Sequence, residues 1–97
     1  MSFSFTFSNE ARETMEHLTL YNPKKLRKVQ KALAYLQVNP HHHSLQTHKF
    51  TSLKGPNKED IFEAYVENNV PGAWRIFFHY GPGPETIRIA LITPHPD

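Results

Sequence analysis

Seven histidines occur in 97 residues, and four of them, His41, His42, His43 and His48, crowd into the stretch "NPHHHSLQTHKF". An imidazole can act as acid or base near neutral pH, and it can also ligate a metal. For His41, His42 and His43 a metal site is a poor fit. Structural zinc asks for about four ligands and catalytic zinc for about three. Consecutive side chains in an extended loop point in different directions, and no H-E-x-x-H pairing is present. The run is internal and short, unlike an appended tag. It reads as a solvated loop, and neither a metal nor a small-molecule cofactor is expected. His48 differs, because the apolar pattern turns to a period of two at that point.

The groups that could work together lie further along. "IFEAYVE" and "AWRIFFHY" alternate on either side of "NNVPG", which predicts a β-hairpin. With the turn centred near Asn69, Glu63 is expected opposite Arg75, and Phe62 opposite Ile76. Phe62, Ala64, Val66, Trp74, Ile76, Phe78 and Tyr80 then share a face that is the core by composition. Ile61, Glu63, Tyr65, Arg75, Phe77 and His79 share the other, which is expected to be open. A one-residue slip would exchange the two. Lys49, opposite Phe50 on its own strand, is expected on the open face, and Lys54 ends that strand. Arg88 alternates with Ile87 and Ile89 and so leaves the core. His95 closes the last strand in "ITPHPD", after a proline expected to stop pairing.

Glu63 and Arg75 alone could be a cross-strand ion pair on a solvated surface. Lysine, arginine, glutamate, histidine and aromatic rings converging on one sheet face suit single-stranded RNA binding and phosphodiester chemistry. That chemistry needs no metal. A base removes the proton of a ribose 2′-hydroxyl, the oxygen attacks the adjacent phosphate, and an acid protonates the departing 5′-oxygen. Histidine suits either role. Arginine can hold the crowded phosphate bidentately, and an arginine beside Glu63 favours the carboxylate, as base or as orienter of the base. The basic run "PKKLRKVQK" (Lys24, Lys25, Arg27, Lys28, Lys31) is either the solvated face of a helix or a phosphate-facing stripe. In the second case Lys24 and Lys28 would contact RNA.

Several alternatives are excluded by composition. The chain has no cysteine, hence no thiolate nucleophile, disulfide or cysteine-held metal. G-x-G-x-x-G, P-loop and G-x-S-x-G patterns are missing, and the prolines of "GPGP" remove amide donors that a phosphate cradle would need. The net charge of +2 allows a basic patch but no strongly polycationic surface. No apolar run approaches the roughly 20 residues that span a bilayer. "MSFSFTFSNE" lacks the pattern of a signal peptide. A cytoplasmic protein without a membrane partner is expected.

The elements that must position these groups follow from the pattern. "FSFTF" alternates and predicts a strand. Ser8 can cap a helix carrying Ala11, Met15 and Leu18, with Glu10 in its first turn. Asn22 and Pro23 start a second helix with a Leu26, Val29, Leu33 and Leu36 stripe, which ends near Asn39–Pro40. Four strands follow. The expectation is a single α+β domain over 1–97, of order β-α-α-β-β-β-β, with an antiparallel sheet packed on an N-terminal helical hairpin.

"NPHHHSLQTHKF", "IFEAYV", "AWRIFFHYG" and "IALITPHPD" together resemble the RelE/ParE toxin superfamily of bacterial toxin–antitoxin modules. The strand "WRIFF" with the closing "ITPHP" is the more specific combination. The resemblance implies an mRNA endoribonuclease acting on messages in the ribosomal A site, neutralised by a cognate antitoxin that wraps it. Under it, Arg75 supports the scissile phosphate, Glu63 resembles the acidic residue used as base, and His95 matches the C-terminal acid or base. His48 and Lys49 lie on the strand that supplies histidine or lysine. RNA contacts are expected from Lys49, Lys54, Arg88, His79, Tyr65, Lys24 and Lys28. The superfamily also contains ParE-like gyrase inhibitors and solitary domains without catalysis, and both stay open as alternatives.

Overall fold

The alternation of Phe3, Phe5 and Phe7 with Ser4 and Thr6 produces strand β1 (Ser4–Phe7). The Ser8 side chain then caps helix α1 (Asn9–Tyr21) by accepting from the Ala11 amide at 3.0 Å. Asn22 ends α1 and starts α2 (Pro23–Val38), its side chain accepting from Lys25 N at 3.1 Å. This doubles one residue as C-cap and N-cap, so the helices turn back with no loop between them. A single 3-10 turn (His43–Leu45) leads into four strands: β2 (His48–Lys54), β3 (Asp60–Tyr65), β4 (Trp74–Tyr80) and β5 (Thr86–Pro94). The computed structural model describes residues 2–95.

The sheet order is β1-β5-β4-β3-β2. Strands β2 to β5 form the expected antiparallel meander, and β1 adds itself in parallel beside β5, Phe5 pairing with Ile87. The sheet is therefore mixed, because the helical pair carries the chain from β1 across one face before the meander begins. That face holds the core. Ala64, Ile76, Phe78, Ile87, Ile89 and Ile92 meet Ala11, Leu18, Val29, Leu33 and Leu36, with Phe62, Val66 and Trp74 at its edges.

The hairpin register differs from expectation by two residues. Tyr65, not Glu63, pairs with Arg75, and Glu63 pairs with Phe77, Ala64 with Ile76 and Phe62 with Phe78. The cause lies at the strand end, where the amides of Val66 and Glu67 both donate to the Trp74 carbonyl. One residue is thereby bulged out and the turn centre moves along the chain. Because the slip is even, every side chain keeps its expected face. A second irregularity lies between Phe77 and Phe78, which pair with Leu91 and Ile89. The intervening Ala90 presents its carbonyl to the Ser8 hydroxyl at 2.6 Å, tying the start of α1 to β5.

Candidate active site

Glu63 is the centre of the site. It lies on the sheet face away from the helices and is only 2% exposed. His48 is its register partner on β2, which brings His48 Nε2 to 2.7 Å from Glu63 Oε1. Thr93 pairs with Arg75, so two residues on, His95 returns to the same face. The proline before it does not end pairing as expected, since the His95 amide donates to the Ala73 carbonyl at 2.8 Å. His95 Nε2 then stands 3.4 Å from Glu63 Oε2, with Arg75 Nε at 3.6 Å from the same oxygen. One buried carboxylate thus lies between two histidines, whose side chains are 48% and 40% exposed, and one arginine that is 7% exposed.

The hydrogen bonding restricts what each group can do. His48 Nδ1 is 2.8 Å from the Gln46 carbonyl, and Nε2 faces the Glu63 carboxyl. A carbonyl only accepts, so Nδ1 is the donor to Gln46, and Nε2 is left facing the Glu63 carboxyl. Glu63 Oε2 and Arg75 Nε are buried without a hydrogen-bond partner among the described residues, at a separation slightly too long to bond each other. Such a buried acceptor and donor can close on each other when a substrate tightens the site.

Arg75 is held from behind. Its guanidinium carbon lies 3.6 Å from the centroid of the Tyr65 ring, a cation–π contact, and Nη1 donates to the Glu67 and Trp74 carbonyls. Glu67 is a part of the site that sequence inspection missed. Its carboxylate accepts from Lys25 Nζ at 2.7 Å, Lys28 Nζ at 3.0 Å and the Trp74 amide at 3.2 Å. Burial opposes ionisation there, but the two ammonium groups and the amide outweigh it and bring the Glu67 carboxyl down to about 2. The only signal in the sequence was an acid just past a strand end, within reach of a basic helix.

The other candidates separate from this cluster. His79 and Arg88 are register partners further along β4 and β5. They line a second cleft of about 400 Å³ with Lys54, Ile61, Phe77 and Leu91. Four residues of strand set His79 roughly 13 Å from Arg75. His79 is buried, and its Nδ1 donates to the Tyr80 carbonyl at 3.1 Å. Lys49 pairs with Phe62 and so shares the helix-side face rather than that of Glu63, contrary to expectation. The reason is Phe50, which packs edge-on against Phe77 at 5.0 Å and takes the site face itself. Lys49 and Lys54 both pair with Asp60, at 3.3 and 2.5 Å, and hold its carboxyl below the ordinary value. On α2, Lys28 is committed to Glu67 while Lys24 is exposed. Tyr80 packs among Phe3, Phe62 and Phe78 on the helix side, where burial raises its phenol pKa.

The face expected to be open is therefore largely covered, with Ile61, Glu63, Arg75, Phe77 and His79 all buried. His42 caps the 3-10 turn that His43 begins, so the histidine run is not the extended loop expected. Among the described residues no group of three or more His, Asp or Glu side chains is arranged to hold a metal ion, and no helix is long and apolar enough to cross a membrane.

No protein-family model matches the chain, and no curated protein is detectably similar in sequence. Solved structures do match over almost its whole length. The YoeB/ParE toxin from Agrobacterium tumefaciens aligns with a TM-score of 0.73 at 8% identity, covering 97% of this chain and 100% of that one. The YoeB–YefM complex from Staphylococcus aureus aligns at 0.69 and 19% identity, covering 97% and 98%. The archaeal RelE–RelB complex from Pyrococcus horikoshii OT3 aligns at 0.67 and 15% identity, covering 97% and 96%. At these identities the likeness concerns backbone architecture: the chain has the fold of the RelE/ParE toxins.

Proposed function

We propose that the chain is the toxin of a type II toxin–antitoxin pair and that it cleaves mRNA on the ribosome by metal-independent attack of a 2′-hydroxyl. The observation that supports this most is Glu63, buried between His48, His95 and Arg75. An inhibitor acting by binding alone has no use for a buried acid with a histidine on each oxygen. In the reaction, one histidine takes the proton of the 2′-hydroxyl and the oxygen attacks phosphorus; His48, whose Nε2 is held by Glu63, reaches the substrate through Nδ1 once that nitrogen leaves the Gln46 carbonyl. The bond to the 5′-oxygen breaks and the second histidine protonates the leaving oxygen, giving a 2′,3′-cyclic phosphate and a 5′-hydroxyl. Glu63 does not touch the substrate in this scheme. It orients both rings and balances their charge, as a carboxylate does behind a catalytic histidine. Arg75, pinned on Tyr65 and on the Glu67 carbonyl, presents positive charge to the phosphate where negative charge accumulates. An antitoxin partner is supported by the matching folds solved as complexes, RelE with RelB and YoeB with YefM.

The test is expression without antitoxin. Growth arrest with cleaved mRNA is expected for the wild type, and Arg75→Ala and His95→Ala are expected to relieve both. Toxicity that persists in both folded variants would remove the cluster from the mechanism. Gyrase inhibition with intact mRNA would support a ParE-like inhibitor instead.

A further inference from the structure

The histidine run that carries no catalytic role is nevertheless ordered. The His42 ring lies 4.1 Å from the Tyr35 ring at 11° and 4.6 Å from the His43 ring at 22°. Three π-faces are thus stacked nearly parallel, rooted on α2 and rising into the following 3-10 turn. His42 is pinned by its Nδ1, which accepts from the Ser44 amide at 3.1 Å and caps that turn. His43 is exposed and stacked on one side by His42, so its other face meets solvent. Lys31 Nζ stands 5.9 Å from the Tyr35 centroid.

Tyr35, the foot of this ladder, lines a cleft of about 340 Å³ together with Lys28, Lys31, Ser44, Tyr65 and Val70, among others, and Ser44 follows His43 directly in the chain. Tyr65 is the link to the chemistry, since its ring lies under the Arg75 guanidinium. The cleft wall therefore begins one side chain from the position where the scissile phosphate would rest. A cation near an exposed aromatic face backed by a stack is what a single-stranded nucleic acid uses, a base stacking and a phosphate meeting the ammonium group.

We propose that Tyr35, His42 and His43 form a stacking platform for an unpaired RNA base next to the cleavage site, with Lys31 facing the phosphate that connects the two. This rests on the nuclease reading above and assigns it a second nucleotide subsite. Stacking tolerates any base, so the platform sets affinity and position more than sequence preference.

The experiment uses full-length protein and short 2′-O-methyl oligoribonucleotides, which cannot supply the attacking hydroxyl, with 2-aminopurine at successive positions. Its fluorescence is quenched by stacking. In the wild type, quenching is expected at one position on binding. His43→Ala is expected to abolish that quenching and weaken binding about tenfold, within the range for loss of a base–aromatic stack, while His43→Trp restores both. Tyr35→Leu is the second variant, compared only if it unfolds cooperatively as the wild type does. Unchanged quenching and affinity in His43→Ala would overturn the platform. So would failure of the wild type to bind the probe. Neither result touches the nuclease reading, which is judged separately by mRNA cleavage in a translation extract containing wild type or Arg75→Ala.

Discussion

Glu67→Gln removes a charge that no substrate touches but that three donors hold in place. The Glu67 side chain is 8% exposed, so solvent does little to weaken its contacts with Lys25 and Lys28. Its carboxyl is brought from the ordinary 4.5 to about 2. At about 1.4 kcal/mol for each tenfold change in proton affinity, the fall from 4.5 to about 2 corresponds to about 3 kcal/mol between the charged and neutral forms. Lys28 is half exposed, and screening there reduces the sum, so a loss of about 2 kcal/mol at pH 7 is expected for Glu67→Gln. The sign follows from a depressed folded-state pKa. The stabilisation is complete above about 4.5 and disappears as the pH falls towards about 2. Urea unfolding of wild type and variant at a series of pH values measures it. The difference between the two proteins should be full at neutral pH and should shrink through that acid window. An equal difference at neutral and strongly acidic pH, or none at all, would refute the assignment of Glu67 as an ion-paired clamp on the β3–β4 connection.

Three further outcomes are expected. Arg75→Lys should lower cleavage by about 10²-fold or more, because an ammonium can neither lie flat on Tyr65 nor hold the Glu67 and Trp74 carbonyls while facing the phosphate; single-turnover cleavage measures it. Ser8→Ala should cost about 1–2 kcal/mol in chemical denaturation, since it removes both the α1 cap and the bond to the Ala90 carbonyl. Ile76→Ala, at a fully buried position of the central strand, should cost about 2–5 kcal/mol in the same assay without moving the face of any site residue.

Much of this arrangement was legible because strand alternation fixes faces even where register is wrong. Glu63, Tyr65 and Arg75 share a face through parity alone, and the two-residue slip of the hairpin left that intact; His95 joins them only because the extra residue at Ala90 reverses the alternation of β5. The bulge at Val66 and Glu67 caused the slip, and no residue type in "VENNVPG" specifies it. Lys49 was misplaced for a different reason. In "HKFTSLK" the apolar residues Phe50 and Leu53 are three apart, so the strand has no consistent apolar side. Only Phe77 as a partner decides that Phe50 faces the site. The burial of the supposedly open face was invisible for the same reason, since it depends on which neighbours cover it. The parallel pairing of β1 with β5 joins segments from opposite ends of the chain, which local pattern does not encode. The Glu67 clamp is likewise a contact of an isolated acid with a distant helix.

The central claim is that Glu63 orients two histidines around an RNA phosphate, and analysis of RNA ends tests it most directly. A translation extract given wild-type protein should yield mRNA fragments ending in 2′,3′-cyclic phosphate and beginning with 5′-hydroxyl. Folded Glu63→Gln, which keeps the shape but not the charge, should reduce their rate by about 10²-fold or more. Intact mRNA with the wild type, or undiminished cleavage with Glu63→Gln, would contradict the account.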